Sequence, residues 1–178
     1  QLALASATWR AFTSPEPSGI DAVRRADTAA LPFLGGALLR LLEELPEVES
    51  GLARSEAQAL AAIGDGRTEL RDAFIAGHLE AEDPHFMGDL VFASVLERLA
   101  RGPEPLLRRR DGGPLVAPRA SAESEAFWTS HAALTPAGRA VLAGRYDWVE
   151  TGAVDRWLGG ARLRGPRIPW RWDAEREA

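Results

Sequence analysis

Apolar residues recur at helical spacing in several separated windows of this chain. Leu31, Leu34, Leu38, Leu41, Leu42 and Leu45 share one face of a helix predicted from about Pro32 to Leu45, which Pro46 ends. Ile20 to Ala26 adds a shorter helix after the turn-rich spacer Ser14 to Gly19. Ser55 to Gln58 has the form of a capping box. It is expected to open a helix carrying Ala57, Leu60, Ala61 and Ile63, which stops at Gly64-Asp65-Gly66. Thr68 is placed to cap another, with Leu70, Phe74 and Ile75 inward. From Gly88 to Ala100, Phe92, Val95, Leu96 and Leu99 stand at i, i+3, i+4 and i+7 and predict a third helix in this series.

Beyond that helix the period changes. Leu106 to Arg110, the turn Asp111-Gly112-Gly113 and Leu115 to Ala117 read as two strands of a hairpin, and Pro118 to Ser124 reads as a loop. Thr135 is a helix N-cap, Pro136 suits the first helical position, and Gly144 suits the residue after the last. Three helices, a wing and a closing helix form the layout of a winged helix-turn-helix. The fold predicted is mainly α (α+β). An N-terminal helical segment spans residues 1–50, a winged-helix-like domain 51–146, and a C-terminal β-hairpin extension packed on that core 147–178. In the last of these, Ala161 to Gly165 and Arg167 to Trp172 are the expected strands, around Gly165-Pro166. Alternation in Trp170-Arg171-Trp172 would put both indoles on one strand face.

Composition narrows the function classes. The chain has 178 residues, 46% of them hydrophobic and 26% charged, enough for one full-sized core. With no cysteine, disulfides and thiolate metal sites are excluded, which fits a cytoplasmic protein. The longest apolar run, Ala29 to Leu39, is broken by Pro32, Gly35 and Gly36, so no membrane partner is expected. The opening ten residues lack the basic start of a signal peptide. Beginning at Gln1, the chain reads as a processed piece or a fragment.

The net charge of −5 is unevenly spread. Between Glu43 and Asp89 there are 12 acidic residues against 3 arginines; between Arg98 and Arg119 there are 6 arginines against Glu104 and Asp111. Every basic residue is arginine, and five more arginines without an acid lie between Arg156 and Arg171. Such asymmetry suits an oriented binding surface, or two halves that attract each other.

The ordered strings Trp9 to Pro17, Leu31 to Pro46, Gly51 to Leu60, Phe86 to Ala100, Leu134 to Gly144, Asp155 to Gly160 and Trp170 to Asp173 carry a resemblance. Together they resemble the C-terminal region of a family of uncharacterised bacterial proteins with a domain of unknown function. In that family an α/β domain precedes this region. The resemblance implies an upstream domain and brings no activity with it.

The candidate contacts follow from charge. In a winged helix the third helix offers its first residues to base edges while wing arginines hold phosphates. Ser94, Arg98 and Arg101 on the helix, Arg108, Arg109 and Arg110 in the wing, Arg119 after it, and Arg162 and Arg164 near the terminus are the candidate nucleic-acid or partner contacts. Glu80, Glu82, Asp83, Asp89 and Glu97 on or before the same helix oppose a phosphate backbone. The leading reading is therefore a non-catalytic module for interdomain or protein–protein contact, with its own N-terminal domain or a homodimer mate. The alternative is a regulator that binds double-stranded DNA through the wing arginines.

Other chemistry finds less support. Trp148, Trp157, Trp170 and Trp172 among the terminal arginines could stack single-stranded bases, but such groups more often hold a small hairpin together. His78, Glu80, Glu82, Asp83 and His85 are metal-ligand types, yet their spacing matches no two-histidine helical motif and reads as a surface loop. Gly64-Asp65-Gly66 and Leu158-Gly159-Gly160 lack the spacing of phosphate loops. No cofactor, metal or catalytic residue is expected.

Overall fold

A computed structural model describes residues 1–176. The described residues form a mixed α+β structure of eight α-helices and two small two-stranded antiparallel sheets, one of them a C-terminal hairpin. No helix among the described residues is long and apolar enough to cross a membrane. The chain divides into two compact units. One joins Gln1–Arg54 to the segment from Trp148 onward; the other is Ser55–Asp147.

The first unit contains α1 (Leu2–Thr13), α2 (Ser18–Arg25), α3 (Leu34–Leu42) and the hairpin β3 (Asp155–Leu158)–β4 (Ala161–Arg164). Ile20, Leu38, Leu42, Leu45, Leu158, Leu163 and Trp172 are among its buried residues. The leucine helix is shorter than its apolar pattern predicts, running only from Leu34 to Leu42.

The terminal hairpin is also displaced from its predicted place. Its strands are Asp155–Leu158 and Ala161–Arg164, with Leu158 paired to Ala161 across Gly159-Gly160. Glycine is what makes this turn possible. Gly159 has φ 55°, a Cβ on it would lie 2.2 Å from Phe12 O, and one on Gly160 would lie 2.1 Å from Thr13 O. The Gly160 N–H donates to Phe12 O at 2.8 Å.

The residues after Pro166 follow the chain at 46–48 instead of pairing with β4. Trp172 N donates to Pro46 O and accepts, through its carbonyl, the Val48 N–H, both at 2.9 Å. Arg171 Nη2 donates to Glu47 O at 2.7 Å. Trp172 is buried and Trp170 half-buried, so their surroundings differ. All these described contacts of the C-terminal segment lie within residues 1–54.

The second unit begins at the second residue of α4 (Arg54–Gly64), whose inward residues include Ala59, Leu60 and Ile63. Ser55 lies inside this helix and not at the position before it that a capping box requires. It is the second helical residue and is buried, so the capping-box reading is corrected. Next come α5 (Leu70–Phe74), continued by a π-turn Ile75–Leu79, and α6 (Asp89–Leu99). As the period predicts, Phe92, Val95, Leu96 and Leu99 of α6 are buried. Phe74 joins the helices, 5.2 Å from Phe92 and 5.7 Å from Trp128 between ring centroids. Ile75, expected inward, is exposed.

The strand β1 (Leu107–Arg109) pairs with β2 (Ala132–Leu134), Leu107 opposite Leu134. The local hairpin with Leu115 to Ala117 does not form. Leu115 and Ala117 are buried, but Pro114 and Pro118 beside them have no N–H to give to a ladder, whereas β2 supplies a full strand edge. Between β1 and β2 the chain is not wholly loop: α7 (Ser121–Trp128) buries Phe127 and Trp128. Residues at 68–70 lie against the far side of the β2 segment, through a Glu69–His131 bridge and Ala132 N to Thr68 O at 2.8 Å.

The closing helix α8 (Pro136–Leu142) forms as its sequence dictates. Thr135 Oγ1 accepts the Gly138 N–H at 3.0 Å, Pro136 leads the first turn, and Gly144 has φ 64°.

Candidate binding surface

The outward face of α6 is apolar at its start. Phe86 is 51% exposed, Leu90 54% and Val91 56%. Helical periodicity causes this, because an inward stripe at 92, 95, 96 and 99 leaves 90 and 91 outside. Asp89, the first residue of the helix, is exposed next to Leu90 in the chain, and Asp83 ahead of the helix is exposed as well. Asp89 Oδ1 accepts the Leu90 N–H at 2.8 Å, and its charge suits the first turn of a helix. Ser94, the one neutral polar reader expected here, is half-buried. Its hydroxyl donates to Leu90 O at 3.0 Å and so serves the helix's own backbone.

The arginines of this helix are engaged by carboxylates. Arg98 Nη2 lies 3.6 Å from Oε1 of Glu56, a residue with 1% exposure. Arg101 pairs with Glu97 one turn earlier. A buried carboxylate needs a counter-charge, so Arg98 supports α4 as much as it faces solvent.

At the end of β1 and in the turn after it, Arg109 Nη2 lies 2.5 Å from Asp111 Oδ2, while Gly113 N donates to Asp111 Oδ1 at 3.0 Å. The Gly113 N–H and the Arg109 guanidinium hold the Asp111 carboxyl below the usual carboxylate range. Arg108 and Arg110 are exposed and have no side-chain partner among the described residues. Arg119 is exposed, and its backbone N–H donates to Glu123 Oε2 at 2.8 Å. Val116 lies in the same stretch and is 43% exposed.

Arg162 and Arg164 both converge on Asp155. Arg162 Nη2 is 3.1 Å and Arg164 Nε 3.5 Å from it. Arg162 also lies 5.7 Å from the centre of the exposed Trp157 ring. These two arginines sit in the first unit, apart in the chain from the helix and wing candidates.

The histidine segment is irregular and largely exposed from residue 80 to 88, as its polarity suggests, but two of its polar side chains turn inward. His78 and Glu82 are buried. His78 Nε2 accepts the Met87 N–H at 3.1 Å, and Gln58 Nε2 donates to Glu82 Oε1 at 2.8 Å. The neutral tautomer with its proton on Nδ1 is therefore the one that fits. His78 also meets Phe86 edge-on at 5.0 Å between centroids. The amphipathic pattern could not reveal this polar packing, because it depends on a π-turn that brings His78 inward. Among the described residues, no group of three or more His, Cys, Asp or Glu is arranged to hold a metal ion.

Five of the nine candidate contacts, Arg98, Arg101, Arg109, Arg162 and Arg164, thus sit against carboxylates. Arg108, Arg110 and Arg119 are the exposed remainder. The approach to α6, whose exposed apolar residues the helical stripe left unassigned, is the feature charge reading missed. No family model, curated protein or solved structure matches this chain.

Proposed function

We propose that this chain is a non-catalytic binding module, built on a winged-helix arrangement, that contacts another protein surface or domain. Support for the arrangement comes from three helices together with segments in the spatial order 68–69, 131–134, 107–109, the first of them lying between α4 and α5, and from a long excursion between β1 and β2 in the wing position. The observation that carries the function is the outward start of α6. A groove-reading helix meets phosphates and base edges with polar and cationic side chains, whereas this one presents Leu90 and Val91 beside Asp89. Its partner is a further domain of the same protein or a second copy. With no cysteine to oxidise, the module suits the cytoplasm.

The DNA-binding reading keeps one specific support, the exposed Arg108 and Arg110. Fluorescence anisotropy of a mixed-sequence labelled duplex, at low and at physiological salt, separates the two. Protein contact predicts weak binding that is gone at physiological salt. Tight binding that weakens steeply with salt and is lost in Arg108→Ala/Arg110→Ala would establish DNA binding instead.

A further inference from the structure

The second unit leaves some exposed charges of both signs without an ion pair among the described residues. From Asp72 to Glu97 the sequence holds six carboxylates and no arginine. Of these, Asp83 and Asp89 are exposed in the same stretch of chain as the exposed Phe86, Leu90 and Val91. In the same unit, Arg108 of β1 and Arg110 in the turn that follows it are both exposed. Arg119 and the exposed Val116 follow in the same excursion. One surface is apolar with an acidic edge, and the other is basic with an apolar residue. Their charges are complementary, yet no ion pair between them occurs within the chain among the described residues.

We infer that the partner of the α6 surface is a second copy of this chain, whose Arg108–Arg110 wing lies on it, in a reciprocal two-fold dimer. Each copy presents both halves, so a two-fold axis makes the contact twice. The apolar residues supply most of the affinity, while the exposed charges set register and exclude the wrong orientation. This inference rests on the protein-contact reading above and names the partner in it.

Sedimentation velocity across a concentration series tests it with three proteins. These are the wild type, an α6 variant Asp83→Arg/Asp89→Arg and a wing variant Arg108→Glu/Arg110→Glu. The first variant carries positive charge on both surfaces and the second negative charge on both, so each repels its own copy. Dimerisation is expected in the wild type and weaker by about tenfold or more in each variant alone. An equimolar mixture of the two variants should form the dimer again, which also shows that both fold.

A chain that stays monomeric at all concentrations overturns the inference, as does a dimer indifferent to both substitutions. The duplex titration then separates the two levels. A monomer that ignores DNA leaves the protein-contact reading standing with a different partner. A monomer that binds duplex through Arg108 and Arg110 removes both.

Discussion

Thr135 joins three parts of the second unit through one hydroxyl. Its Oγ1 donates to Pro105 O at 2.7 Å and accepts the Gly138 N–H, so helix α8 starts where the chain entering β1 passes. Thr135→Ala removes the cap and leaves the Pro105 carbonyl without this donor. A loss of about 2 kcal/mol in urea unfolding is expected. Two glycines give opposite expectations. A Cβ on Gly138 would lie 2.2 Å from Leu106 O, a backbone atom, so Gly138→Ala should cost about 3 kcal/mol. Gly36, inside α3, has nothing within 4 Å of its would-be Cβ; Gly36→Ala should stabilise by about 0.5–1 kcal/mol in the same assay. If both alanines behave alike, the packing described around Gly138 is wrong.

At the scale of elements, the turn after β1 is held by Asp111. Its carboxyl is held low by Gly113 and Arg109, so its folded value lies beneath the ordinary aspartate value of about 4. A depressed acid contributes stability above the unfolded value, and that contribution disappears as pH falls through the folded one. The Gly113 amide resonance should therefore titrate with a midpoint below that ordinary value. Movement near neutral pH would mean that Asp111 is not its acceptor.

This turn also shows what sequence can and cannot convey. The α6 stripe was legible because a 3.6-residue period leaves Phe92, Val95, Leu96 and Leu99 no other common face. The Thr135-Pro136 start was legible because capping is local chemistry. The partner of β1 was not. Turn residues at Asp111 to Gly113 promise a neighbouring strand, but pairing is decided by a segment more than twenty residues away, at Ala132–Leu134. Likewise, the arginines were legible as candidates, but their ion pairs were not. The Arg98–Glu56 contact spans two helices, and Arg162 meets Asp155 only because the Gly159-Gly160 turn brings them together. The exposed apolar residues at the start of α6 follow from its period, yet their meaning depends on nothing else in the chain covering them.

On the scale of the whole molecule, arginine content says little about partners by itself. Arg98, Arg101, Arg109, Arg162 and Arg164 sit against carboxylates, which cancel much of the field a polyanion would meet. In the second unit an acidic, apolar start to α6 is exposed, and so are Arg108, Arg110 and Arg119. The most direct test of the claim that this helix does not read a groove is to give it a cation. Leu90→Lys places one on the exposed outer face without touching the core. Duplex affinity measured against salt concentration should then be as weak for the variant as for the wild type, with no new salt dependence. Tighter binding in the variant, with a salt slope steeper by about one, would put α6 against phosphates and contradict the account.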